Sequence, residues 1–401
     1  MADFNDMSDT STASGISEDI FTGKFSTAAG LDRIRRRLLD LTRSNPLLNY
    51  RFPKSKSLRI IDTPPDDLFN RLFDGKQSPI IPVPDPPSDE YEDNDEDKPS
   101  KPEIKAYAES RGIITGYELQ PNRITTGNLN IQTLYYPEDL EALLRKIEQT
   151  GRTAIEESGT NMLYLVFGYL EWYESSSSEK PLLSPLLIMP VNLKKTGVDR
   201  TTGFFQYALE YTGEDIAENI TLREKLKREF SLELPELEDD DTPEAYFSKI
   251  AAFIKPRPQW KLRRFCCLSL LSFGRLLMYL DLDPQRWPDN HPLHKHPIIS
   301  SFFEGVDRND SPGIAEEYRI DDEDDELRDI PIVYDADSSQ HSALVDALKG
   351  KNLVIEGPPG TGKSQTITNL IVAALYEGKS VLFVSEKLAA LEVVSFCCGK
   401  I

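Results

Sequence analysis

Apolar residues recur at helical spacing at Leu31, Ile34, Leu38 and Leu41, while Arg33, Arg36 and Arg37 occupy other faces. This predicts a basic amphipathic helix ending near Ser44-Asn45-Pro46, because a proline disfavours helical backbone at the residue before it. A second helix is predicted over residues 137–150. The pattern then changes to that of strands over residues 162–173, 183–193 and 204–211, separated by a serine-rich loop and a Thr-Gly turn, as in an antiparallel meander. Helical patterning returns over residues 222–230, 243–253 and 262–280, so an α+β domain is expected over residues 25–330.

The last part of the chain reads differently. Residues 352–356 and 380–384 are short apolar runs of buried-strand type, and between them residues 364–376 carry Ile367, Leu370, Ile371, Ala374 and Leu375 on one helical face, closed by Gly378. Another helix is expected over residues 386–394. Strand, loop, helix and strand in this order form a parallel crossover unit, so residues 331–401 are expected to be an α/β P-loop domain of RecA-like type. Two parallel strands make a poor sheet, and Val354, Ile355, Val381 and Phe383 are expected to be under-packed.

The loop between strand and helix reads Gly357-Pro358-Pro359-Gly360-Thr361-Gly362-Lys363-Ser364, followed by Gln365. Glycines are needed here because the backbone must turn through conformations closed to residues with a Cβ while approaching an anion. Loop N–H groups cradle the α and β phosphates, Lys363 adds a point charge near the β and γ oxygens, and Ser364 is the expected Mg2+ ligand. Lys363 and Ser364 are thus the candidate catalytic residues. Hydrolysis in this architecture also needs an acidic residue at the end of a later strand, a group that positions water and usually an arginine finger. Residues 365–401 leave no room for these, so this stretch is expected to bind nucleotide without turning it over. Residues 395–401, with adjacent Cys397 and Cys398, break the preceding apolar spacing, and a frameshift or premature stop near Val394 is the expected cause.

Composition narrows the setting. The chain has 401 residues and a net charge of −21, concentrated in runs such as 89–97, 236–241 and 321–326 that read as solvated connectors. Residues 1–24 read as a disordered leader and residues 84–103 as a mobile acidic insertion. The four cysteines form two adjacent pairs and no secreted-type disulfide framework. No stretch has the length and apolarity of a bilayer span, and the polar, acidic N-terminus is unlike a signal peptide, which places the chain in the cytoplasm.

Any nucleic-acid surface on so acidic a chain must be local. Two segments qualify. From residue 33 to 59 basic residues far outnumber acidic ones, and Arg257, Trp260, Lys261, Arg263, Arg264 and Phe265 interleave basic with aromatic side chains. The competing reading of each is a solvated helix face or edge. His291, His294 and His296 lie in a proline-punctuated loop with no fourth metal ligand nearby, and read as ordinary loop histidines.

Residues 39–51, Leu-Asp-Leu-Thr-Arg-Ser-Asn-Pro-Leu-Leu-Asn-Tyr-Arg, resemble the opening signature of the uncharacterised N-terminal domain (DUF4011 type) of large bacterial helicase-like proteins of superfamily 1. Residues 164–172 and 181–193 resemble that domain too. Residues 335–340, the loop at 357–365 and Ser385-Glu386-Lys387 resemble the start of the motor of these proteins. The resemblance implies an ATP-driven motor acting on DNA or RNA, of which this chain holds only the first part, with a separately encoded remainder as a partner. It also implies that Gln340 reads adenine, which is physically sensible because an amide pairs bidentately with the N6 and N7 edge. Ser385 and Lys387 fall where the family contacts a single-stranded backbone. Two other readings stand beside this one: a non-enzymatic module that senses nucleotide and binds a protein or nucleic acid, and a small-molecule kinase, disfavoured because no acceptor site has room.

Overall fold

The computed structural model describes residues 26–87, 101–118, 130–175, 178–304, 318, 330–358 and 360–398. The leader, the acidic runs at 89–97 and 321–326, and residues 88–100 of the insertion lie outside them. The chain forms two compact units, residues 35–155 with 160–281, and residues 1–34 with 156–159 and 282–401.

The first unit is mixed α/β. Its strands are β1 (Ser57–Arg59), β2 (Ser78–Ile81), β3 (Ile131–Gln132), β4 (Leu163–Trp172), β5 (Leu182–Val198), β6 (Phe205–Tyr211), β7 (Ala217–Glu218) and β8 (Lys261–Leu270). They lie in the order β1-β8-β4-β5-β6-β2-β3, with β7 on β5; β2 and β3 are parallel and the other pairs antiparallel. Just past β1, the Ile61 N–H donates to the Gln132 carbonyl at 3.0 Å, so the sheet curls until its two ends meet. The antiparallel meander of β4, β5 and β6 is the one expected from the sequence.

The alternation changes phase at Gly168. Leu163, Leu165 and Phe167 before it, and Leu170 and Trp172 after it, enter the main core, whereas Val166 and Tyr169 face a smaller cluster with Tyr50, Phe265 and Cys267. Gly168 has φ of +70°, and the register with β8 shifts between Phe167 and Tyr169. This is how a strand irregularity re-aims side chains. The main core is completed by α4 (Pro137–Ser158), longer than predicted, and by α5 (Ile220–Phe230) and α6 (Pro243–Ile254), with α2 (Pro65–Phe73) packed against α6.

Three expectations are corrected here. Residues 262–280 are not one helix: β8 occupies 261–270, and α7 (Gly274–Asp281) follows. Between β1 and β4, β8 is buried on both faces, with Cys266 in the main core and Cys267 in the smaller cluster, so its apolar run has no period-two signature. The first helix, α1 (Thr27–Leu38), ends before Asn45 because short polar side chains take over the backbone. Asp40 accepts the Thr42 N–H at 2.9 Å, and Asn45 accepts the Leu47 N–H at 2.9 Å while donating to the Asp40 carbonyl at 2.7 Å. Residues 236–241 are not a free connector. Burial of Asp241 opposes its ionisation, but the Lys249 ammonium at 2.7 Å and the Glu238 N–H at 2.9 Å outweigh it and hold the carboxyl below the usual range. The ends of the acidic insertion are likewise clasped, Lys101 pairing with Asp85 at 2.7 Å.

The resemblance signature at residues 39–51 is a staple. Asn219 donates to the Leu47 carbonyl at 2.6 Å and the Pro185 carbonyl at 2.9 Å, and caps α5 by accepting the Leu222 N–H at 3.0 Å. Ser184 donates to the Leu48 carbonyl at 2.8 Å and Tyr50 to Ser269 at 2.8 Å. Asn219→Ala is expected to destabilise this unit by about 2–3 kcal/mol, combining a lost cap with buried carbonyls left unpaired. A urea midpoint equal to that of the parent protein would contradict it.

In the second unit the described residues form helices: α8 (Pro297–Glu304), α9 (Ser338–Leu348), α10 (Lys363–Tyr376) and α11 (Leu388–Cys398). Residues 352–356 and 380–384, expected as buried strands, form no regular secondary structure, with Val354 90% and Leu382 87% exposed. A parallel strand is stable only with neighbours on its edges and cover on its faces, and neither is present among the described residues. The predicted apolar face of α10 is accordingly displaced. Its buried residues are Thr366, Thr368, Asn369, Ala373 and Ala374, and Leu375 is exposed. Gly378 follows α10 with φ of +76°, as expected, and α11 runs on past Val394 to Cys398.

Candidate nucleotide-binding site

The loop at 357–365 leads into α10. Gly360 and Gly362 have φ of +88° and +75°, a region that residues with a Cβ rarely enter. A Cβ on Gly357 would lie 2.6 Å from Thr361 Oγ1, and one on Gly362 would lie 2.8 Å from Gln340 Nε2. Conformation therefore favours glycine at 360 and 362, and side-chain crowding adds to it at 357 and 362. Gly362 precedes α10 without a side-chain cap, so the first N–H groups of the helix, with their positive dipole end, are left for an anion. Ser364 and Gln365 are exposed in that first turn. The Lys363 ammonium donates to the carbonyl of Gly357 and, at 2.7 Å, to that of Pro358. Thr361 Oγ1 donates to the Pro358 carbonyl at 2.9 Å. Pro359 lies outside the described residues.

Gln340 is brought to this loop by α9. Asp337 and Gln340 form a reciprocal capping box: Asp337 accepts the Gln340 N–H at 2.8 Å and Gln340 Oε1 accepts the Asp337 N–H at 3.2 Å. Gln340 Nε2 donates to the Thr361 carbonyl at 2.9 Å, which ties the helix cap to the loop. Asp337, Gln340, Ala343, Glu356, Gly357 and Lys363 are among the residues lining a cavity of about 540 Å³, within the size range of small-molecule sites. Ser385 and Lys387 do not line it. The Lys387 N–H donates to Ser385 Oγ at 3.4 Å, and both residues stand just before α11.

Sequence reading missed Asn369. Fully buried in α10, it accepts the N–H groups of Val333 and Tyr334 at 2.9 and 3.0 Å and donates to the Tyr334 carbonyl at 2.9 Å, pinning the segment that leads to α9. Asn369 lies on the side of α10 opposite the predicted apolar face, so the local pattern carried no signal for it. The Asp346 carboxylate is also buried, beside the Lys351 ammonium and the Tyr318 hydroxyl at 2.7 and 2.8 Å.

His341, one residue past Gln340, is buried with Nδ1 lacking a hydrogen-bond partner among the described residues, and burial pushes its imidazole below the ordinary 6.5. Its neutral form is favoured by folding, so the stability it contributes is present above pH 6.5 and is lost as pH falls below that value. Lowering the pH from 7 to 5 is expected to weaken amide-exchange protection in α9, and His341→Phe to flatten that dependence. Identical pH profiles for the two proteins would refute this.

The other sequence candidates divide. Trp260 and Phe265 are buried, Arg263 pairs with Glu171 at 2.7 Å and Glu118 at 2.8 Å, and Arg264 pairs with Glu244 at 2.9 Å. The two arginines of β8 are thus neutralised, while Arg257 stands over the Phe253 and Trp260 rings. Among the described residues no group of three or more His, Cys, Asp or Glu is placed to hold a metal ion, and no helix is long and apolar enough to cross a membrane. Cys266 and Cys267 are free thiols, and burial pushes Cys267 up to about 11, which makes it a poor nucleophile.

Residues 37–226 match the family described as "Protein of unknown function (DUF4011)". Two curated proteins are similar over short stretches. One is the "Uncharacterized ATP-dependent helicase MG140" of Mycoplasma genitalium, 51% identical over 69 residues, or 17% of this chain and 6% of that protein. The other is the "Uncharacterized ATP-dependent helicase MG140 homolog" of Mycoplasma pneumoniae, 53% identical over 58 residues, or 14% of this chain and 5% of that protein. The matched stretches thus span about a twentieth of the length of these relatives. No solved structure matches. Residues 37–226 are thus similar to the DUF4011 family, and a short stretch of the chain is similar to proteins named as ATP-dependent helicases.

Proposed function

We propose that this chain is the ATP-binding, N-terminal part of a nucleic-acid motor of superfamily 1 type, with residues 331–401 the beginning of a RecA-like domain. The observation that carries the reading is the uncapped start of α10 behind Gly360 and Gly362, with Lys363 at its first position. In this reading the N–H groups of Gly360, Thr361, Gly362 and Lys363 receive the phosphates and Ser364 holds Mg2+. The Lys363 ammonium exchanges two loop carbonyls for phosphate oxygens, and Gln340, released from the Thr361 carbonyl, reads the adenine edge. Ser385 and Lys387 contact a nucleic-acid strand. The apolar runs at 352–356 and 380–384 gain their neighbours from further polypeptide, which also supplies the groups that turn ATP over.

Fluorescent ATP titrated into the protein with Mg2+ or with EDTA tests the reading. Saturable binding that weakens in EDTA supports it; a folded protein that retains no ATP refutes it. DNA-stimulated ATP hydrolysis measured with and without the remainder of the motor separates a motor part from a nucleotide-sensing module, which would bind ATP but gain no turnover from the added polypeptide.

A further inference from the structure

Of the two basic stretches apparent in the sequence, one has Arg263 and Arg264 paired with carboxylates, and the other has Arg43 paired with Glu174 but, among the described residues, a cluster of unpaired cations after it. Residues 35–59 contain eight Lys or Arg and one acid, Asp40, in a chain of net charge −21. Arg51, Lys54 and Lys56 are exposed in the loop before β1 and have no carboxylate partner among the described residues. Arg59, exposed on β1, stands over two half-buried rings, its guanidinium carbon 3.9 Å from the centroid of Tyr117 and 5.2 Å from that of Phe52. The carboxylates of Glu118 and Glu171, which belong to the adjoining strand edge, are held by Arg263 and do not cancel this charge.

The loop is also anchored against collapse. Phe52 sits at φ of +48°, an outlier for a bulky side chain, and is fixed there by Tyr50, Tyr169 and Phe265 with ring centroids 5.0, 5.4 and 5.7 Å away. Strain of this kind persists only where the surroundings over-determine it. The result is a rigid aromatic floor carrying four cations on one short segment. Clustered cations beside aromatic faces suit a polyanion whose repeating charges are interleaved with planar groups.

The geometry points to residues 51–59, with Phe52 and Tyr117, as a docking surface for single-stranded nucleic acid. Phosphates would meet Arg51, Lys54 and Lys56, and a base would stack against the Arg59 guanidinium or the exposed edges of its rings. This deepens the motor reading above and rests on it for the choice of nucleic acid over other polyanions. It also gives the first unit a task of its own, independent of the phosphate loop.

The test is fluorescence anisotropy of the full chain with labelled oligothymidylate and oligouridylate of about 16 nucleotides, at several salt concentrations. The triple variant Arg51→Glu, Lys54→Glu, Lys56→Glu is expected to bind at least about tenfold more weakly, with the slope of log affinity against log salt reduced by about 2, near 0.7 per lost contact. A control triple with the same charge change at scattered exposed lysines, Lys146→Glu, Lys227→Glu and Lys255→Glu, should change affinity by less than about twofold. Tyr117→Ala should weaken binding with the salt slope intact, which separates stacking from charge. Unchanged binding by the loop variant, an equal effect of the control triple, or binding to phosphatidylserine vesicles without binding to either oligonucleotide would overturn the assignment. Lys363→Ala, measured in parallel, keeps the two readings distinguishable. Loop-dependent oligonucleotide binding without ATP retention removes the motor reading alone, and ATP retention with a silent loop removes this one alone.

Discussion

Lys363→Ala is expected to weaken ATP binding by about 10- to 100-fold while leaving the fold intact. The magnitude is that of a charge-assisted hydrogen bond to phosphate, about 1.5–3 kcal/mol. The fold should survive because the Lys363 side chain is exposed and bonds only to the loop carbonyls of Gly357 and Pro358, which water can take over. Lys363→Arg is the informative companion: it keeps the charge, but a planar fork does not fit where a compact ammonium sits among carbonyls, so only partial recovery is expected. Competition titration with unlabelled ATP measures both. Equal affinities for the parent protein and the alanine variant would mean that nucleotide, if held, is held elsewhere.

Gly168→Ala is expected to destabilise the first unit by about 3 kcal/mol or more. Two costs add: a left-handed backbone costs a residue with a Cβ about 1–2 kcal/mol, and overpacking a filled core costs about 1–3 kcal/mol. Both apply at this residue, where φ is +70° and a Cβ would lie 2.3 Å from the Phe247 ring. Phe247 is fully buried in α6 and has no room to retreat. The shift should appear as a fall in melting temperature on the order of 10 °C and a lower urea midpoint at unchanged slope. Pairing the variant with Phe247→Leu should restore part of the loss, since only the crowding is relieved. A fall of less than about 1 kcal/mol would show that the phase change in β4 does not depend on this glycine.

Local chemistry made some features legible before folding was considered. The turn at residues 357–362 is one, because its glycines answer a conformational need visible in three or four neighbouring residues; Gly360 and Gly362 are indeed left-handed. The meander of β4, β5 and β6 is another, because runs rich in apolar, β-branched and aromatic residues are bounded by a serine-rich loop and a Thr-Gly turn. Capping followed the same logic: Gln340, singled out through family resemblance, also closes a capping box with Asp337 that is written in four consecutive residues.

Other features depended on partners far away in sequence. Nothing local separates β8 from a helix, because the strand has apolar neighbours on both sides supplied by residues 47–52 and by α6. The closure of the sheet joins Ile61 to Gln132 through strands of two or three residues, too short to show any period. Asn369 and Asn219 looked like ordinary polar residues until the backbone groups they satisfy came into view.

The sequence by itself determined where glycines turn the chain into the start of a helix and which segments run as the strands of the meander, since both follow from the conformational freedom and apolarity of adjacent residues. Tertiary structure alone decided which positive charges stay available. Arg263 and Arg264 meet Glu171, Glu118 and Glu244 across strands and helices, while Arg51, Lys54 and Lys56 meet none among the described residues. Coulombic neutralisation acts over a few ångströms of space, whatever the separation along the chain.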